Sequence, residues 1–160
     1  MSLALNTWNR LKAHAPGRWL FSRIVCWRAP YFASIRPLFL ELGEGRAVVG
    51  MKKRRRVTNH IGTVHAIAMA NLCEIAAGTM MEALLDSSMR WIPRCMTIHY
   101  LSKAATSVQA RAAMPAVTAA IAQDVIVAVI VTDQQGKEVV RAEITMYVSP
   151  RSGDHNANWK

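Results

Sequence analysis

One carboxylate stands out among the residues able to do chemistry. Glu74 lies inside an apolar stretch, residues 64–85, in which Glu82 is the only other charged side chain. Apolar residues on all sides read as a helix enclosed by protein. Desolvation raises the pKa of a carboxylate in such a helix and makes it a base near neutrality. Stranding it there without a role would cost several kcal/mol, so the alternative is a structural Glu74 paired with an arginine. At the front of the stretch, Gly62 and Thr63 read as a helix entry with Thr63 as N-cap. The N–H groups of Val64, His65 and Ala66 are then free to hold an oxyanion. Glu74 lies eight residues past Ala66, about 12 Å along the axis. One carbonyl cannot reach both groups in one chain, so a joint site requires a second copy of the helix in a two-fold dimer. The small residues Ala70, Asn71, Ala77 and Gly78 around Glu74 either admit a substrate or a second helix, or serve close packing.

These groups must be carried by the elements on either side. Apolar runs bounded by turns, alternating at 107–114 and continuous at 124–132, predict strands at 36–42 and 46–57 around a turn at 43–45, then the helix, then strands at 91–102, 107–114, 124–132 and 137–148. The third strand, 91–102, begins in earnest near Pro93. Residues 86–88 and 133–136 read as turns, and 115–123 as loop or a short turn of helix. The first 34 residues read as two short basic helices broken at Pro16-Gly17, either covering one edge of the domain or touching a membrane surface. Three segments follow: a helical extension over 1–34, one α+β domain over 35–149 with an antiparallel sheet curled over the long helix, and a disordered tail over 150–160.

Composition narrows the partners. The chain of 160 residues has a net charge of +10 and a pI near 10.3, which favours an anionic partner: nucleic acid, anionic lipid or a nucleotide-bearing thioester. Three cysteines, Cys26, Cys73 and Cys95, show no CxxC spacing, and a reducing, cytoplasmic setting is expected. No apolar run approaches the roughly 20 residues of a membrane span. The run Lys52–Arg56, with Lys52, Arg54 and Arg56 on one side of a strand, could hold phosphates or be a solvated strand end. Arg94 and Lys103 are weaker candidates of the same kind. Aromatic residues do not interleave this run, which lowers a nucleic-acid reading. His60, His65 and His99 lack metal-ligand spacing, so no metal is expected. Cys73 points about 100° away from Glu74 and reads as a buried small hydrophobe.

The arrangement resembles the hotdog fold. Asn59, Gly62, Thr63 and His65, followed by Glu74, resemble the active-site motif of the PaaI-like acyl-CoA thioesterases. The similarity continues through residues 96–103, where that family has a tyrosine between apolar residues, and it covers roughly residues 36–148. The first residues resemble the extra N-terminal helices of an uncharacterised subgroup. The resemblance implies that Asn59 orients the thioester or the water, His65 braces the entry loop and Ala66 supplies the oxyanion N–H. It makes Glu74 of a second subunit the general base or nucleophile. Gly62, Thr63, Ala70, Lys52, Arg54, Arg56 and Lys103 would line the substrate path. It implies acyl-CoA as substrate, no cofactor beyond the coenzyme A of that substrate, and a homodimer or homotetramer. Ala66 and Ile67 stand where the family usually has glycine, and Pro93 where some members have a hydroxyl. Two other readings stay open: a hotdog hydratase or dehydratase, since His60 precedes Glu74 by fourteen residues, and a non-catalytic module binding acyl-CoA or nucleic acid.

Overall fold

Alternating apolar residues build one antiparallel sheet. A computed structural model describes residues 2–43, 45–113 and 121–151. Its strands are β1 (Leu38–Gly43), β2 (Arg46–Met51), β3 (Met89–Tyr100), β4 (Val108–Ala113), β5 (Gln123–Asp133) and β6 (Glu138–Pro150), laid side by side as β1-β2-β4-β5-β6-β3. Every neighbouring pair runs antiparallel. In β5, Val125, Val127, Val129 and Val131 are buried while Ile126, Ala128 and Ile130 face outward, the two-residue period of a sheet covered on one face. The cover is helix α3 (Ala66–Leu84), which buries Met69, Leu72, Ile75, Ala76, Met80 and Met81. By length and hydropathy its 19 residues could span a membrane, against the expectation that no such run exists, yet most of the helix is buried against the sheet.

The expected succession along the chain, two strands, one long helix and four strands, holds, and the fold is a hotdog: a long antiparallel sheet around a central helix, with extra N-terminal helices. Those helices are α1 (Leu3–Leu11) and α2 (Ala15–Arg28). They share the sheet's core. Trp8 meets Phe21, and Phe21 meets Phe39 of β1, both edge-on with ring centroids 5.1 Å apart. Burying each such ring contributes about 2 to 3 kcal/mol. The Ser22 hydroxyl donates to the Arg18 carbonyl and accepts from the Phe39 N–H, which ties α2 to β1.

Four expectations need correction. The break between α1 and α2 falls at 12–14, and Pro16 and Gly17 lie in the first turn of α2, where proline loses no hydrogen bond. Gly17 is needed because a Cβ there would collide with the Leu11 carbonyl. Strand β2 ends at Met51 rather than 57, since its partner β4 begins opposite at Val108. The cations therefore do not alternate on a strand. Lys53 donates to the Ala105 carbonyl, Arg54 to the Ser34 carbonyl, and Arg55–Val57 form a 3-10 turn. Strand β3 begins at Met89, before Pro93, because an edge strand with a register shift between Pro93 and Cys95 accommodates the proline. Helix α3 begins at Ala66 with His65 as its N-cap, not at Thr63. The expected end of the strand over 107–114, the loop over 115–123 and the tail beyond 151 fall wholly or partly outside the described residues.

Candidate active site

The helix entry is built by Asn59. Its Oδ1 accepts from the N–H groups of Ile61 and Thr63, and its Nδ2 donates to the Thr63 hydroxyl at 2.9 Å. Gly62 sits at the turn with φ of 77°, a left-handed value that glycine adopts without penalty. The loop so closed is pinned on both sides. Val64 N–H donates to the Ala104 carbonyl and His65 N–H to the Val57 carbonyl. Two of the three N–H groups expected to be free are thus taken, and the local side-chain bonds of Asn59 defeat an earlier helix start. His65 Nδ1 then accepts from Ile67 N–H at 3.1 Å. Among the described residues the Ala66 N–H has no acceptor, and it lies at the positive end of a 19-residue helix.

One face of α3 is left open. Ile67 is 59% exposed, Ala70 and Glu74 are half-buried, and Glu82 is exposed. The helix is therefore not enclosed all round, as its composition suggested. Strand β3 frames this open face at two points. At one end the Tyr100 hydroxyl donates to the Ala66 carbonyl at 3.2 Å. Burial, and to a lesser degree Cys73, pushes the Tyr100 pKa up and keeps this donor protonated. At the other end the Trp91 indole lies on Gly78, where an added Cβ would come within 2.7 Å of the ring, and its N–H donates to Glu82 at 3.1 Å. Between the two contacts lie Ala70 and Glu74, and Glu74 has no hydrogen-bond or ion-pair partner among the described residues. Partly buried Met96 and Ile98 of β3 pack against the core beside this face.

The remaining expected residues separate into groups. Asn59, Gly62, Thr63, His65 and Ala66 form the entry loop and helix start. Arg56 and Lys103 are exposed on the two segments hydrogen-bonded to that entry, through Val57 and Ala104. Lys52 and Arg54 line a separate cavity with Arg23 and Arg36. Arg94 pairs with Asp124 at 3.1 Å and stacks on Tyr147. Of the small residues near Glu74, Gly78 serves packing, and Asn71 is buried with its amide donating to Ser34; Ala70 is the one half-open. Cys73 is fully buried and its thiol is pushed up to about 12 by desolvation, which makes it no nucleophile.

Comparison with known proteins fits this geometry into a family. A profile described as a domain of unknown function (DUF4442) matches residues 17–148. The chain belongs to the DUF4442 family. The match takes in α2 as well as the sheet, in accord with their common core. No curated protein matches the sequence. Among solved structures this DUF4442 chain is similar to the structural-genomics protein APC5556, at 44% identity and a TM-score of 0.81, covering 92% of this chain and 98% of that one. It is also similar to thioesterase HI1161 of Haemophilus influenzae, at 14% identity and 0.73, covering 83% and 91%. A probable thioesterase of Pseudomonas aeruginosa, PA5026, gives 17% and 0.71, covering 81% and 93%. The last two establish the hotdog fold and carry the name thioesterase.

Trp91 and the helix-bracing role of Tyr100 are the parts of this DUF4442 site that spacing missed. A glycine in mid-helix and an aromatic at the start of the next strand were the available signals.

Proposed function

We propose that this protein hydrolyses acyl-CoA thioesters as a homodimer, with each site built from α3 of both subunits. The observation that carries the reading is the unpaired, half-buried Glu74 on the open face of a helix whose first N–H, at Ala66, is also unclaimed. Strand β3 supports the dimer, because among the described residues it pairs with β6 alone and leaves its 12 residues with a free edge. Long free edges of this kind pair with another strand. Antiparallel pairing of two β3 edges would extend the sheet and bring each Glu74 toward the partner's helix start.

In this reading the thioester carbonyl oxygen lies at the Ala66 N–H. Glu74 of the other subunit takes a proton from water, the oxygen of that water bonds to the carbonyl carbon, and the carbonyl π electrons move onto oxygen. The oxyanion is held by the Ala66 N–H and the helix dipole, an effect worth about 3 kcal/mol for one donor. Collapse restores the carbonyl and breaks the C–S bond, and the protonated Glu74 returns its proton to the leaving thiolate. Asn59 positions the entry loop rather than touching substrate, and His65 braces it. Arg56 and Lys103, beside the entry, suit the phosphates of coenzyme A. Three free thiols fit a reducing, cytoplasmic compartment.

The test uses two variants. Glu74→Gln removes the base and should lower thiol release from a panel of acyl-CoAs by about 10²- to 10⁴-fold. Ala66→Pro removes only the N–H, since proline is tolerated at the first helical position and His65 is already extended, with ψ of 138°. It should cost about 10²-fold or more. Mixed after unfolding and refolding together, the two should regain about a quarter of the wild-type rate, because one site in each mixed dimer is intact. Mixtures as inactive as their parents would disprove the shared site. Full activity of Glu74→Gln, or hydration of an enoyl-CoA without thiol release, would disprove the hydrolytic assignment.

A further inference from the structure

The net charge is confined to one stretch of the chain. Residues 1–57 hold 12 of the 20 Lys and Arg and 2 of the 10 Asp and Glu, so the rest carries eight of each. Residues 1–40 contain no carboxylate side chain at all. Within them α2 is apolar on both sides. Phe21 and Cys26 face the core, whereas Leu20, Ile24 and Trp27 face away, and Tyr31 follows in the next 3-10 turn (Pro30–Ser34). Trp27 is 80% exposed and Tyr31 71%. On the helix circumference Arg23 and Arg28 fall on either side of this stripe.

Beside the stripe, a cavity of about 590 Å³ opens between α2 and the outer face of β1, β2 and β4. Trp19 and Leu38 line its apolar part, and Arg23, Arg36, Lys52 and Arg54 its charged part. Asp133 also lines it, but its carboxylate already accepts from the N–H groups of Gln135 and Lys137. Arg23 donates from Nη2 to the Pro37 carbonyl, while its Nε is shielded from water without an acceptor among the described residues. Burial, and then the charges of Arg36, Arg56 and Arg23, hold the Arg54 guanidinium below its ordinary pKa, a repulsion that an anion among them would relieve.

We propose that this face docks on an anionic lipid surface, with Leu20, Ile24, Trp27 and Tyr31 entering the interface and the adjoining cavity receiving a lipid headgroup phosphate. Aromatic side chains settle at headgroup depth, and surrounding cations are drawn to anionic lipid. A second copy is a poor occupant. Two such faces would bring their cations together with no carboxylate from residues 1–40 to offset them. Nucleic acid would leave Leu20 and Ile24 without apolar contact.

The full chain is sedimented with vesicles of phosphatidylcholine, alone or with about 30% phosphatidylglycerol, at about 0.1 M salt. At least tenfold more protein should follow the anionic vesicles, with a blue shift of tryptophan emission. Arg28→Glu should weaken binding about fivefold and Trp27→Ser about tenfold. Neither should change thiol release from a soluble acyl-CoA, so this result stands or falls apart from the proposed hydrolysis. Equal sedimentation with neutral vesicles, or none with anionic ones, would overturn the proposal. So would a lower mass of the free protein after Trp27→Ser, which points to a second copy, or a loss of oligonucleotide binding in that variant.

Discussion

Among the surfaces that leave apolar groups in water, two differ in the charge set within them. Along α3 and β3 lie the exposed Ile67, the half-buried Met96 and Ile98, and a carboxylate, Glu74, without a partner among the described residues. Along α2 the exposed Leu20, Ile24, Trp27 and Tyr31 are flanked by arginines, and residues 1–40 supply no acid. The first surface also has a free strand edge, whereas at the second the edge strand β1 and Pro37 just before it are bonded by Ser22 and Arg23 of α2. Exposure alone would assign both to one kind of partner. The accompanying charge and backbone separate them: an open strand edge suits another strand, and a cation-rimmed aromatic stripe suits a polar interface with negative charge.

The comparison is broken most forcefully at Ile67. Ile67→Glu places a charge in the proposed dimer contact while favouring the helix itself, because a carboxylate in the first turn complements the dipole. Sedimentation should show the dimer weakened by about 100-fold or more, with the folded signal intact. The same sedimentation of Ile24→Glu should show no change. A dimer lost in the second variant and kept in the first would exchange the roles of the two surfaces.

A smaller effect tests the α3 framing. Gly78→Ala sets a Cβ against the Trp91 ring at 2.7 Å, and the ring must tilt away from its bond to Glu82. Thermal unfolding should report a loss of about 1 kcal/mol, and Trp91→Leu in the same background should recover part of it. The smallest test concerns the cysteines. Cys26 and Cys73 are buried with raised pKa values, Cys73 at about 12, while Cys95 on β3 is exposed. A thiol reagent near pH 8 should label Cys95 alone in the folded monomer. Above pH 9 the unfolded Cys73 thiol ionises while the folded one stays protonated, so that contribution to stability falls as pH rises toward 12.

Much of the architecture was legible. Strict alternation at 108–113, the continuous apolar run at 124–132, the apolar stretch around Glu74 and the succession of strands about one helix sufficed for an α+β sheet over a helix. What misled was local chemistry that competes with periodicity. Gly62-Thr63 has the composition of a helix cap, but Asn59 spends its side chain closing that loop and moves the start to Ala66. Lys52–Arg56 continues an alternating strand on paper. No β4 residue stands opposite beyond Val108, so the chain leaves the sheet and its cations seek carbonyls. The openness of one α3 face was illegible for a different reason, because an apolar helix residue left exposed, such as Ile67, looks the same in sequence as one covered by its own chain.

The Tyr100 hydroxyl ties the edge strand to the first carbonyl of α3. Whatever fixes that edge therefore also fixes the Ala66 peptide. For the proposed dimeric hydrolase, catalytic rate per subunit would then not be a constant of the protein: it would fall on dilution, as edges separate and helix starts relax, and return on concentration without any effector.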